Sequence, residues 1–424
     1  MNFYLRQKLL SWLPQLSYQV WILAAGRLLS QIGSGFTLFY APIFFVNQVG
    51  LSATAVGVGL GSGSITGVIG RFLGGSFADS KSWGRRPTLL LSAAISAISS
   101  VILALTFNFP VFIIGNLLMG LGIGLYWPAT EAAVADLTTI EQRNEAFAIT
   151  RLADSLGLGM GVVLGGALIA ATGSYRSLFV IDSISFVVFF AIVYAVIAET
   201  GKFDEHHSKQ VSKGWIIALR DRQLMVYVLV NIIFTTYLAQ VNSTMPLYFA
   251  NFISGETAKG GFSPKVISGL FTWHIVCAAL CQLPIARTLN RFSRPRALTI
   301  SMVLWGVGFI LIWATGVAST HSIIWAVFAL GILAIATVAY TPSASALVVD
   351  LAPESLRGVY LSINSQCWAI GYFIGPPLGG WVLDQSQATA HSFWLAAAVS
   401  IVVGIVILQY LDRILDVTIP RERY

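Results

Sequence analysis

The stretch at residues 126–166, YWPATEAAVADLTTIEQRNEAFAITRLADSLGLGMGVVLGG, has a counterpart at residues 340–380, YTPSASALVVDLAPESLRGVYLSINSQCWAIGYFIGPPLGG. Tyr126, Pro128, Asp136-Leu137, Arg143, Gly157, Gly161, Gly165 and Gly166 recur as Tyr340, Pro342, Asp350-Leu351, Arg357, Gly371, Gly375, Gly379 and Gly380. Each lies 214 residues later, with no gap between landmarks. A fixed offset over so long a run marks an internal duplication, so the chain reads as two homologous halves.

Composition says where those halves live. A soluble domain is about one quarter charged, whereas this chain is 10% charged and 56% hydrophobic with a mean hydropathy of +0.78. Apolar runs of about twenty residues, enough to cross a bilayer core as helix, recur throughout. Lipid offers the backbone no hydrogen-bond partner, so these runs are predicted helices, and the absence of alternating ten-residue segments argues against a barrel. Six spans are predicted in each half, at 19–46, 53–77, 88–107, 110–134, 144–171 and 177–198, then 223–252, 264–286, 297–317, 322–346, 358–383 and 392–411. The reading is an all-α membrane protein of 12 transmembrane helices in two pseudo-symmetric six-helix bundles. Residues 1–198 and 223–424 form the bundles, and the polar segment 199–222 links them, with a short amphipathic helix expected around Trp215 to Leu219.

An even number of spans puts both termini on one side. Of the 25 Lys and Arg residues, only Arg176, Lys259 and Lys265 fall at far-side loops, and Arg27 and Arg151 fall inside spans. The rest crowd the side of the termini, which the positive-inside rule makes the cytoplasm. The net charge of +7 is thereby accounted for without a nucleic-acid partner. The first eighteen residues show no apolar core ending at a cleavage site, so the first span is expected to serve as its own targeting signal. Cys277, Cys281 and Cys367 lie within spans as packing residues, and the adjacent His206-His207 pair in the linker diverges by about 100° if helical. No metal site is expected.

After the second span comes Gly75-x3-Asp79, then Gly84-Arg85-Arg86, and the second half holds a degenerate version, Ala286-x3-Asn290-Arg291-Phe292-Ser293-Arg294. With this loop motif, the repeat and the topology, the whole chain resembles the major facilitator superfamily, although the first copy has two extra residues between Asp79 and Gly84. Electrostatics makes the loop a latch at the cytoplasmic side. Asp79 can face the positive N-terminal end of span eleven near Gly358. Arg85 and Arg86 can meet Asp136, and Arg291 or Arg294 can meet Asp350. The resemblance implies that opening this latch accompanies access to the cytoplasm.

Gly157, Gly161 and Gly165 on span five, and Gly371, Gly375 and Gly379 on span eleven, are spaced four apart, which forms smooth stripes for close helix packing. Pro376 and Pro377 interrupt the backbone ladder of span eleven. Gly375-Pro376-x2-Gly379-Gly380 resembles a motif in the fifth span of facilitator antiporters, here in the opposite half, while Val162 replaces the proline in span five.

Ionisable groups at depth are the default functional candidates. Arg27 in span one, Glu131 in span four, and Arg151 and Asp154 in span five are the proton-coupling candidates, with the proton as the coupling ion and no other cofactor. A cation near a carboxyl favours its charged form and loss of water favours its neutral form, so helix movement can exchange a proton. The competing reading is a fixed Arg151–Asp154 pair at i,i+3. Asp182, near the outer end of span six, is expected to be interfacial. Facilitator antiporters often carry Arg where this chain has Asn116, so either Arg27 and Arg151 stand in for it or transport is not proton-coupled.

Candidate cavity residues are Gln31, Tyr40, Asn116, Tyr126, Asn231, Tyr237, Gln240, Trp273, His274, Asn364 and Trp368. Aromatics with a few amides suit a lipophilic or amphipathic solute. No nucleotide-binding Gly-x4-Gly-Lys-Ser/Thr loop is present, so ATP does not drive transport directly. The pattern of Pro128, Asp136 and Arg143 looks most like the drug/proton antiporter branch. The reading is therefore a monomeric secondary transporter, not an enzyme, in the cytoplasmic (inner) membrane of a bacterium. It would export a small molecule by alternating access. Uptake of a polar metabolite and a non-transporting sensor are the alternatives.

Overall fold

Where Asn108 precedes Phe109-Pro110, the amide side chain accepts from Val111 N at 3.1 Å, and the proline removes an N–H that a helix start leaves unused. Such punctuation separates long apolar runs all along the chain. The computed structural model describes residues 16–80, 83–199, 215–253, 261–289, 291–318, 320–353 and 356–418. Among the described residues there are twelve long helices and no strand: α1 (Tyr18–Asn47), α2 (Ala53–Ala78), α3 (Arg85–Ala104), α4 (Phe109–Asp136), α5 (Ile140–Thr172), α6 (Arg176–Val196), α7 (Arg222–Asn251), α8 (Pro264–Leu289), α9 (Arg294–Val317), α10 (Ser322–Leu351), α11 (Arg357–Leu383) and α12 (Gln387–Thr418). Eleven are long and apolar enough to cross a membrane. The remaining one, α11, has 27 residues but dilutes its apolar character with Ser362, Asn364, Ser365 and Gln366.

Boundaries differ from the sequence reading mainly at α12, which begins at Gln387 and ends at Thr418 rather than at 392 and 411. Near its end, Asp412 accepts from Ser293 Oγ at 3.0 Å and from Arg296 Nε at 3.3 Å, which holds the polar last turns in place. In α7 the helix widens into a π turn at Gln240–Thr244. Residues 215–220 of the linker are helical, whereas His206-His207 lies outside the described residues.

Contacts divide the chain into two compact units that do not follow the sequence halves. One takes the described residues up to Thr37, Ile65–Gly165 and Ser174 to the linker; the other takes Leu38–Ser64, Gly166–Gly173 and the C-terminal half. Within the first unit, α3 packs on α4 and α6. Ser92 Oγ donates to Gly122 O at 2.9 Å and Ser99 Oγ to Gly115 O at 2.7 Å. The second unit repeats the arrangement: α9 packs on α10 and α12, and Ser301 Oγ donates to Ala336 O at 2.8 Å. Hydroxyl-to-carbonyl bonds of this kind join helices where lipid gives no hydrophobic push.

Small residues set the closest approaches. A Cβ on Gly157 would strike the Leu28 carbonyl and Gln31 of α1, and one on Gly161 would strike the Ile32 carbonyl and Gly35. In the second unit a Cβ on Gly371 would strike Thr235 of α7, one on Gly375 would meet Ala239, and one on Gly379 would strike Thr244 and Gln240. Each stripe thus seats the first helix of its own half. Gly165 is buried in the same row of α5. The helix α11 runs on through Pro376 and Pro377, whose missing N–H groups leave the carbonyls of Tyr372 and Phe373 without their intrahelical donors.

Gly161→Val is expected to lower stability by about 1–3 kcal/mol through overpacking against α1, read as a lower thermal unfolding midpoint in detergent. Gly269, whose Cβ position is open, serves as the control. Gly269→Ala is expected to be neutral or stabilising by up to ~1 kcal/mol.

Candidate functional site

Burying a guanidinium in an apolar bundle demands a counter-charge, because an isolated ion away from water is costly. Arg27 of α1 is 1% exposed and finds its partner in Asp154 of α5. Nε donates to Oδ1 at 3.0 Å, and Nη2 donates to Oδ2, giving the two-pronged geometry that arginine favours. Its guanidinium carbon lies 5.6 Å from the Tyr126 ring centre and 5.5 Å from that of Trp127, so two α4 aromatics complete the enclosure. The glycine stripe explains the pairing: Asp154 lies one turn before Gly157, on the face that meets α1.

Arg151 therefore does not pair with Asp154 on its own helix. Its Nη2 bonds Glu131 Oε1 of α4 at 3.0 Å, and its guanidinium lies 5.7 Å from the Trp127 ring. Trp127 thus contacts two guanidinium groups, Arg27 and Arg151. Glu131 lies within electrostatic reach of Arg27 and Arg71 as well. The Glu131–Arg151 pair is open, with side chains 46% and 65% exposed, so its bond is weaker and more readily exchanged than the enclosed one.

Asp182 is not interfacial: it is 0% exposed. Ser100 Oγ donates to it at 2.7 Å, and a Cβ on Gly33 of α1 would collide with its carboxylate. The signal that sequence reasoning passed over is the small-residue setting of Gly33, Ser100, Ser183 and Ser185, which makes room for a carboxyl in the core.

In the second unit Trp368 stands at the repeat position of Asp154, and the polar cluster that joins α7 to α11 is neutral. Asn231 Nδ2 of α7 donates to Asn364 Oδ1 of α11 at 2.9 Å, and Asn364 Oδ1 also accepts from Tyr227 OH at 2.6 Å. Tyr340 OH, the repeat counterpart of Tyr126, donates to Asn231 Oδ1 at 2.5 Å. These amides are satisfied by one another, as buried polar groups require.

The other candidate residues are dispersed. Gln31 packs on Gly157. Asn116 Nδ2 donates to Phe112 O of its own helix at 2.9 Å. Tyr40 is fully buried with its ring edge on Phe39. Trp273 Nε1 donates to Val327 O at 3.0 Å, and His274 Nδ1 lies 2.9 Å from Leu330 O, so both fasten α8 to α10. Trp368 stacks on Tyr372, whose hydroxyl accepts from Asn242 at 2.6 Å. Tyr237 bonds Ser400 Oγ at 2.6 Å, and Gln240 Nε2 donates to Gly375 O at 2.8 Å. Both line a cavity of about 440 Å³ between α7, α11 and α12, with Leu378, Trp381 and Phe393 supplying apolar walls.

At the latch, Arg85 Nη1 lies 2.5 Å from Asp136 Oδ2 and its Nη2 lies 3.7 Å from Asp79, which is 75% exposed. Arg86 does not meet Asp136. Its Nη2 donates to Tyr194 O at 2.6 Å, and its guanidinium lies over the Tyr194 ring. Glu199 draws the segment in: its carboxylate accepts from the backbone N of Arg85 and Arg86 at 3.0 and 3.1 Å, capping α3. Gly84 adopts φ 95°, a conformation open to glycine, with the Glu199 carboxylate where a Cβ would stand. Gly75 faces open space. In the second half, Arg294 Nε lies 3.3 Å from Asp350 Oδ2.

A sequence profile described as the Major Facilitator Superfamily matches residues 23–260 and 249–422. The chain belongs to the major facilitator superfamily. This facilitator is a multi-pass integral membrane transporter of a small molecule, not an enzyme. It is 24% identical over 387 residues to multidrug resistance protein 2 of Bacillus subtilis (strain 168), covering 91% of this chain and 92% of that one. It is 26% identical over 351 residues to the multidrug resistance protein MdtH of Salmonella schwarzengrund (strain CVM19633), covering 82% of each. Among solved structures, the nucleoside transporter NupG superposes with a TM-score of 0.76 at 15% identity, over 94% of this chain and 100% of that one. A D-xylose-proton symporter does so with 0.71 at 18%, over 92% and 96%. At these identities the structural likeness establishes the fold.

Asp154→Asn is expected to cost about 3–5 kcal/mol, because it strands the Arg27 guanidinium without its counter-charge. Arg27→Gln together with Asp154→Asn is expected to cost less than the sum of the single changes, while Glu131→Gln costs under ~1 kcal/mol. A double-mutant cycle on unfolding in detergent checks all three.

Proposed function

We propose that this facilitator exports lipophilic or amphipathic compounds in exchange for protons, by alternating access between its two homologous halves. The observation that carries the proposal is the Arg27–Asp154 pair enclosed by Tyr126 and Trp127, with the open Glu131–Arg151 pair beside it. A shift that draws the Arg27 side chain off Asp154 removes its counter-ion, and a lone carboxylate in apolar surroundings is neutralised by taking a proton. Glu131, 46% exposed and within reach of Arg151, Arg27 and Arg71, supplies a second acid within the same cluster. Proton uptake and loss of the Arg27 contact are then one event. The aromatic enclosure suits a solute with an apolar body and few polar groups. The names of the two multidrug resistance relatives support the same substrate class.

In this reading the termini are cytoplasmic, following the crowding of Lys and Arg on that side. The protein acts as a monomer in a bacterial inner membrane, with no cofactor beyond the proton and no nucleic-acid partner. Asn116, in the place where antiporters of this family often carry Arg, leaves Arg27 and Arg151 to supply the positive charge near the coupling acids.

In proteoliposomes holding the purified protein, an imposed pH gradient is expected to drive movement of a lipophilic cationic dye. Asp154→Asn or Glu131→Gln is expected to abolish the gradient-driven component while leaving dye binding in place. Gradient-driven flux retained in both variants would remove both acids from the coupling. Flux of a polar metabolite with no dye movement would establish the uptake reading instead.

A further inference from the structure

At the far end of the bundle from the termini, the start of α2 poses an accounting problem. The first turn of a helix leaves its N–H groups without intrahelical acceptors. Ser52 Oγ accepts from Ala55 N at 3.1 Å, but nothing in the local sequence takes Ala53 N or Thr54 N. Their acceptor comes from the other half of the chain: Asp384, the C-cap residue of α11. Its Oδ1 accepts from Ala53 N at 2.8 Å, and its Oδ2 accepts from Thr54 N at 2.7 Å and Thr54 Oγ1 at 2.5 Å. A carboxylate here also meets the positive end of the α2 dipole.

The surrounding seam is closed. A Cβ on Gly57 would collide with the Pro376 carbonyl, and one on Gly380 would collide with the Ala53 carbonyl, so α2 and α11 touch backbone to backbone. The space left between them, lined by Pro42, Val56, Leu60, Thr244 and Leu247, is about 10 Å³, at the limit of what one water needs. Asn47 of α1 and Asn251 of α7 also exchange amide hydrogen bonds at 2.9 Å in both directions. All of these contacts lie within the second compact unit, which is why the starts of α2 and the ends of α1 group with the C-terminal half.

We propose that Asp384 is the far-end gate latch of the transport cycle, its carboxylate holding the α2 N-terminus against α11 while the pathway is shut at that end and releasing it when that end opens. The inference rests on the alternating-access reading above. A cap that only stabilised a helix could come from the adjoining loop, as Ser52 does. This one bridges segments 330 residues apart in sequence, and it occupies donors that the local sequence leaves open. Opening the far end must break three hydrogen bonds to one charged group, and charge-assisted bonds are the strong kind.

The test uses the full chain in lipid nanodiscs, its cysteines replaced, with spin labels at the exposed Gln48 and Gln387, and reads their distance distribution. The unsubstituted protein is expected to give one short population. Asp384→Ala is expected to add a longer one, raising the open-to-closed ratio roughly tenfold or more, and Thr54→Val to move it the same way by less. Ser52→Ala removes a local cap of the same helix and is expected to lower the unfolding midpoint without moving the distribution. Gly57→Trp forces a wedge into the seam independently of the latch. Should Gly57→Trp open the far end while neither Asp384→Ala nor Thr54→Val does, the latch is wrong and alternating access stands. Equal shifts from Ser52→Ala and Asp384→Ala would also overturn the latch. No shift in any variant, the wedge included, would overturn alternating access and the latch together.

Discussion

Helices in lipid are not pressed together by water, so something must let their backbones approach and reward the approach. In this protein that is the four-residue glycine stripe, used once on α5 to seat α1 and once on α11 to seat α7. Gly157 and Gly161 bring α1 close enough for Arg27 to reach Asp154. Gly371 and Gly375 bring α7 close enough for Asn231 to reach Asn364 and for Gln240 to reach the Gly375 carbonyl. The Arg27–Asp154 pair and the amide cluster of the second copy each hang on one of these two seams. A single added methyl group would meet the α1 backbone at Gly157 and Gly161, and side chains of α7 at Gly371, Gly375 and Gly379.

The duplicated geometry is filled with different chemistry. In the first copy a tyrosine on α4 flanks an ion pair between the first and fifth helices. In the second copy the matching tyrosine on α10 bonds an amide pair between the seventh and eleventh. Hydrogen-bonded amides hold helices together without a proton to exchange, whereas a carboxylate held by a guanidinium can lose its partner and change charge. Duplication kept the shape, and divergence assigned the ionisable groups to one copy.

Much of this architecture was legible in the residues. The constant repeat offset, the hydropathy and the glycine spacing predict two similar halves, and those signals survive because each reports a local or periodic property. Partner choice was less legible. Arg151 stands one turn from Asp154 and could pair with it along the helix. What decides otherwise is that the stripe aims Asp154 at α1, while Arg151 projects toward Glu131 and Trp127. Asp182 looked peripheral because its depth along α6 is shallow, yet depth along a helix says nothing about which face it occupies. The π turn at Gln240–Thr244 and the Glu199 cap on α3 depend on tertiary contacts that no short window of sequence encodes. Trp127 carried no flag of its own, although its place between Tyr126 and Pro128 in the repeated landmark was a usable hint.

The uneven filling of the two copies has an electrical side. The Arg27–Asp154 pair, Glu131, Asp182 and further guanidinium groups all lie along the helices of the first copy, while the Asp, Glu, Lys and Arg residues of α7 to α12 lie within about two turns of a helix end. A membrane potential acts on charge at about 2.3 kcal/mol per elementary charge per 100 mV, so the field grips one copy and leaves the other nearly untouched. Voltage would then pull on this molecule as on a lever weighted at one end.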